Sequence, residues 1–141
     1  MPAIERGLAT AGRTRGDIEI IVEVIVGVGR NDEELEAAKG VRNLLAFYGS
    51  TPAYRPVLEL HGWGDLQPEL NSLSKQGEWV KMGELIDDDV LDAFAVVAEP
   101  DGIAPELIKR YSGVVDRCSF YAPYRSDPDR WSATIQMLQK A

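Results

Sequence analysis

Between Ile18 and Gly29 the chain reads Ile-Glu-Ile-Ile-Val-Glu-Val-Ile-Val-Gly-Val-Gly, its longest β-branched run. Drawn as a strand, this run places Ile20, Val22, Val24, Val26 and Val28 on one face. Glu19, Ile21, Glu23, Ile25, Gly27 and Gly29 fall on the other, because successive side chains alternate. A strand apolar on nearly both faces belongs inside a parallel sheet, where crossover helices and neighbouring strands cover it. It ends in glycines and runs into Asn31-Asp32-Glu33-Glu34, a helix start with a capping side chain, an acid three residues on and acids that suit the helix dipole. Strand, short glycine turn and helix N-terminus make the βα unit in which α/β enzymes build their sites. The expected fold class is α/β.

Length sets a limit on that fold. The 141 residues suffice for one domain with a core, but a complete eight-stranded α/β barrel needs roughly 250. No apolar run approaches the ~20 residues of a membrane helix, so no membrane partner is expected. The N-terminal Met1-Pro2-Ala3-Ile4-Glu5-Arg6 lacks the apolar core of a signal peptide, and Cys118 is the single cysteine, so no intrachain disulfide can form. A reducing cytoplasm is the expected compartment. The net charge of −8 comes without a basic cluster, which disfavours binding to a phosphate backbone. Nucleic acid is not an expected partner.

Taken in order, Ile4, Leu8 and Ala11 predict a short amphipathic helix over Pro2 to Gly12. After the Ile18 strand, Leu35, Ala38, Val41, Leu45 and Tyr48 recur at helical spacing up to Gly49. From Pro52 to Ala95 the pattern is helical throughout: a restart at Thr51-Pro52, a helix from Asp65 to Leu73, another over Glu78 to Leu85, and a short one opened by Asp87-Asp88-Asp89. The stretch 52–95 therefore reads as a helical insertion within a single domain. Pro100 to Tyr111 is a helix with a basic last turn before Gly113. Val114 to Tyr121 is the second strand, and Ser126-Asp127-Pro128 starts a final helix carrying Trp131, Thr134, Ile135 and Leu138.

The chemistry-bearing residues are few. His61 is the only histidine, which excludes a multi-histidine metal site. It either works on a ligand from its loop or caps a helix end before Gly62. Trp63, between two glycines, either stacks on a planar ligand or pins the loop to the core. Glu19 and Glu23 share a strand face, and the position of Glu19 at the strand start favours a solvated or arginine-paired role. Gly27-Val28-Gly29 lacks the third glycine of a dinucleotide fingerprint, and the acids after it would repel a phosphate; turn geometry explains it better. Cys118, beside Phe120 in a strand, reads as an inert core thiol.

Several blocks taken together resemble a known family. They are Val22-Glu-Val-Ile-Val-Gly-Val-Gly-Arg30-Asn31-Asp-Glu-Glu34, Leu45-Ala-Phe-Tyr-Gly-Ser-Thr-Pro-Ala-Tyr54, Leu60-His-Gly-Trp-Gly-Asp65, the Pro100 to Tyr111 helix, and Val115-Asp-Arg-Cys-Ser-Phe-Tyr121. The chain is similar to the C-terminal part of the bacterial luciferase-like monooxygenase family, in its deazaflavin-dependent oxidoreductase branch. The resemblance implies a TIM-barrel fragment in which Ile18 to Gly29 is strand seven, Val114 to Tyr121 is strand eight and Asp129 to Lys140 is the closing helix. Where the family has Gly-Thr-Pro this chain has Ala98-Glu99-Pro100, losing an N-cap worth about 1 kcal/mol.

The implied activity is hydride transfer or monooxygenation of a small organic substrate with coenzyme F420, a deazaflavin, or alternatively FMN. In the family, strands one to six carry most contacts to that cofactor. By resemblance His61 is the catalytic candidate, Trp63 and Tyr54 line the substrate pocket, and Tyr121 and Arg125 form the cofactor rim. Arg125 has the competing reading of an ion pair with Asp127 or Asp129. Strand edges left open imply self-association or pairing with the missing barrel half. The competing class is a non-enzymatic α/β module used for binding or assembly.

Overall fold

The computed structural model of the chain describes residues 1–29, 32–124 and 128–140. The Ile18 run becomes strand β1, Ile21–Val28, at the centre of a three-stranded sheet of order β2-β1-β3, where β2 is Ala95–Ala98 and β3 is Arg117–Tyr121. Both neighbours are parallel to it: Ile25 to Val28 pair with Ala95 to Ala98, and Ile21 to Ile25 with Arg117 to Tyr121. The expected adjacency of the first and last strands is present, in parallel register.

The chain steps from β1 to β2 on one side, then back across β1 to β3. Parallel crossovers share one hand, so reversing direction moves the connecting helices to the opposite face of the sheet. Side-chain packing follows that rule. On one face helix α2, Asp32–Gly49, sets Val41, Leu45 and Ala46 against Ala95, while Ile25 and Val97 pack at the margin of the same cluster. On the other face Val24, Val26, Val28 and Val96 meet Ile103 and Leu107 of helix α7, Pro100–Tyr111, and Trp131 and Leu138 of helix α8, Asp129–Leu138. Each fully buried side chain of this size contributes roughly 1.5–3 kcal/mol, so the two faces stabilise the sheet jointly. Helices thus cover both faces, whereas a barrel wall carries them on its outer face alone.

The region after α2 is helical up to Phe94. It comprises α3, Arg55–Glu59; α4, Leu66–Gln76; α5, Trp79–Glu84; and α6, Asp88–Phe94. Asp87 caps α6 by accepting a hydrogen bond from the Val90 N–H at 2.9 Å. Gly77 ends α4 with φ +73°, a left-handed conformation that a side chain would strain. The N-terminal helix α1, Pro2–Thr10, buries none of its residues.

Five expectations need correction. The helical stretch expected over 52–95 stops at Phe94, because Ala95 opens β2, a strand that sequence pattern did not reveal. In consequence β1 has partners on both edges and is not left open. Gly27 lies inside β1, where a Cβ would stand 3.0 Å from Val97 Cγ2 and 3.4 Å from Val41 Cγ2; close packing, not a turn, requires glycine there. Cys118 is exposed, not buried, because β3 is an edge strand. On α2, Leu35 and Tyr48 stay exposed while Ala37 and Ala46 are buried, since α5 packs across α2 as well as the sheet does. The Asn31 cap and the Ser126-Asp127 start lie outside the described residues.

Candidate functional site

Helices α3, α4 and α6 arch over the C-terminal end of α2 and enclose a cavity of about 350 Å³. Ile25 of β1, Leu45 of α2, Leu70 of α4, Ile86 and Val90 line its interior, and Tyr48, Tyr54 and Val57 stand at its exposed mouth. None of the lining side chains is charged. Gly49 lets the walls approach, since a Cβ there would lie 2.9 Å from Leu70 Cδ1. The volume falls within the ~300–1,000 Å³ typical of small-molecule sites, near its lower end.

The rim carries the polar chemistry. Tyr48 and Tyr54 meet edge to face, with ring centroids 6.0 Å apart. Tyr121, opposite Ile25 in the β1–β3 ladder, brings its phenol to the same side of the sheet. Desolvation first, then the neighbouring phenols of Tyr121 and Tyr54 and the Glu23 carboxylate, push the Tyr48 phenol above its ordinary value. Tyr48 is therefore a neutral hydrogen-bonding group throughout the physiological range.

A second aromatic group adjoins the cavity through Phe94. The His61 ring stacks on Trp63 at 4.9 Å with 8° between planes, and Phe94 presents its edge to His61 at 5.2 Å and to Trp63 at 6.1 Å. Local sequence explains the arrangement. The Leu58 carbonyl accepts hydrogen bonds from both the His61 and Trp63 N–H groups, and Gly62, at φ +81°, allows that doubled turn. Trp63 packs against the core cluster beneath, so it pins the loop, and His61 lies exposed on its outer face.

Of the residues singled out by sequence, Tyr54 lines the cavity, Tyr121 joins its rim, and His61 and Trp63 stand one ring away. Arg125 lies outside the described residues. Glu19 is paired with Arg117 at 2.8 Å, the arginine-paired alternative. Tyr48 and Phe94 were missed as site residues, because both fell into helical periodicities that read as core; the Phe47-Tyr48 pair so close to Tyr54 was the available signal. Beyond the cavity, the Tyr124 hydroxyl accepts the Val28 N–H at 2.6 Å and closes the C-terminal end of β1. No group of acids, histidines and cysteines among the described residues is arranged to hold a metal ion. No helix among them is long and apolar enough to cross a membrane.

A flavin or deazaflavin brings a wide planar ring with an anionic tail. The cavity offers apolar walls of limited volume and no lining cation, so the described residues do not fit the whole group.

A parallel sheet with helices on both faces defines an α/β chain, and this one carries an apolar cavity of ligand size. The sequence profile of the luciferase-like monooxygenases matches residues 1–117, and the chain belongs to that family. Over 118 residues it is 59% identical to an uncharacterized protein of Mycobacterium tuberculosis, covering 83% of this chain and 35% of the relative. It is 27% identical over 144 residues to the 5,10-methylenetetrahydromethanopterin reductase of Archaeoglobus fulgidus, covering 97% and 41%. The reductase of the same name from Methanopyrus kandleri is 24% identical over 132 residues, covering 92% and 37%. The chain thus spans between 35% and 41% of the length of these relatives. No solved structure gives a significant match.

Proposed function

We propose that this chain is the C-terminal part of a luciferase-like oxidoreductase that transfers hydride between F420, or alternatively FMN, and a small organic substrate. It contributes a wall of the substrate pocket, while the cofactor is held mainly by the rest of the barrel. The carrying observation is the cavity with no charged lining side chain, with Tyr48 and Tyr54 at its mouth, Tyr121 against Tyr48 and the His61–Trp63–Phe94 group beside it. In the barrel reading β1 and β3 are strands seven and eight, side by side and parallel, and β2 takes the edge of β1 that an earlier strand would hold. The named reductases among the relatives support the redox class and, within it, the deazaflavin branch. His61 is the proposed proton or hydrogen-bond donor to substrate, and Trp63 and Phe94 fix its ring.

Titration of the purified chain with FMN and with F420 tests the division of labour. Binding weaker than micromolar is expected for the chain alone, and restored binding once it is joined to the preceding two thirds of the mycobacterial relative. Micromolar binding by the chain alone would relocate the cofactor site here. Failure of the joined protein to bind either cofactor would favour the second reading, an assembly module, for which the exposed Leu60 and Val80 speak.

A further inference from the structure

We infer that the cavity under Tyr48 and Tyr54 binds a small neutral molecule with one or two rings and a single carbonyl-type hydrogen-bond acceptor. Size comes first. A cavity of 150 Å³ is about what benzene fills, and this one, at about 350 Å³, has room for roughly a fused pair of six-membered rings. The apolar floor offers water few hydrogen-bond partners, so a hydrophobic occupant displaces only weakly held water there.

Charge then narrows the class. A carboxylate or phosphate would be stripped of water against Ile25, Leu45, Leu70 and Ile86 without a cation to meet it, and Glu23 near the rim would repel it. An ammonium would meet Glu23 only beside the rim and would likewise be stripped of water against the uncharged floor. Phenols at the mouth suit a neutral acceptor: the Tyr48 hydroxyl, hydrogen-bonded to that of Tyr121, exchanges that bond for one to the acceptor while the rings settle on the apolar floor. The Tyr48–Tyr54 pair offers both the edge and the O–H for that recognition. Binding of such a molecule stands on the cavity alone; calling it the enzyme's substrate rests on the reading above.

Methyl-labelled chain, without cofactor, is titrated with 1-tetralone, with tetralin and with tetralin-1-carboxylate, following the methyl signals of Ile25, Leu70 and Ile86. Saturable shifts are expected with the ketone and the hydrocarbon, and at least about tenfold weaker binding of the carboxylate. Tyr48→Phe should weaken the ketone about fivefold and leave tetralin unchanged. Val57→Trp, at the exposed mouth, should abolish binding of all three while signal dispersion stays native. A carboxylate as tight as the ketone, equal effects of Tyr48→Phe on ketone and hydrocarbon, shifts confined to other methyls, or no saturable shift would each overturn the inference. Because no cofactor is present, these outcomes are independent of whether the redox assignment holds.

Discussion

Arg42 reaches from α2 to the Ile86 carbonyl and the Asp88 carboxylate, and the two bonds are unequal. Asp88 is 87% exposed, so its ion pair contributes about 0–1 kcal/mol. Ile86 is 2% exposed, and leaving its carbonyl unsatisfied would cost about 1–3 kcal/mol. Urea unfolding should therefore show Arg42→Ala destabilised by about 2 kcal/mol and Asp88→Ala by less than about 0.5. Equal losses would place the stabilisation in the ion pair instead. At Asp116 the Ile20 N–H first, then Arg15, hold the carboxyl below its ordinary value of 3.8. A depressed carboxylate stabilises the fold above its unfolded value, and that stabilisation disappears as pH falls through the folded value. Thermal melts should show a constant advantage of the wild type over Asp116→Asn from pH 7 to about 5, shrinking only below 3.8. An advantage that already shrinks between pH 7 and 5 would point to another group. Single residues were legible in sequence where they are unique or bracketed by glycines, as His61 and Trp63 are. Tyr48 was not, because its helical spacing fits a core position equally well, and only the arch of α3 over the end of α2 turns it into a cavity rim.

Elements were read well where their signals are local. Asp87 opens α6 as its side chain suggests, since an N-cap acts within one turn. Asp87→Ala should cost about 1 kcal/mol and speed hydrogen exchange at the Val90 amide; unchanged exchange there would mean that packing of Val90 and Leu91 holds the helix start unaided. The Gly77 stop of α4 and the unassisted start of α7 at Glu99, with no side-chain cap bond, follow the same logic. Strand β2 lay beyond local signals. Ala95 to Ala98 is too short to show alternation, and it is extended because β1 offers a parallel edge more than sixty positions upstream in the chain. Which face of α2 would be buried was equally non-local: the sheet and α5 share its surface, which turns Ala37 and Ala46 inward at the expense of Leu35.

At the scale of the whole molecule, both edge strands keep an outer edge without a strand among the described residues, and the longer of these edges is that of β3. The Arg117 N–H is turned to the carbonyl of Ile20, the residue just before β1, and alternation along a parallel strand then points the backbone groups of Cys118 and Phe120 outward. No strand among the described residues covers them. Uncovered edges recruit further strands, and in the barrel reading the next strand of the cylinder would do so. The isolated chain has only another copy of itself, so it should associate with rising concentration. Sedimentation under reducing conditions is expected to show a monomer–dimer equilibrium below about 100 µM. Cys118→Lys sets a charge on that edge without removing a ladder bond to β1 and should shift the equilibrium at least about tenfold toward monomer. Association unaffected by the lysine would assign it to the exposed apolar side chains of α3 and α5 instead. If the same substitution in the full-length relative leaves its oligomeric state untouched while lowering its stability, the edge is an internal seam of the larger fold, which is what kinship with a closed barrel requires.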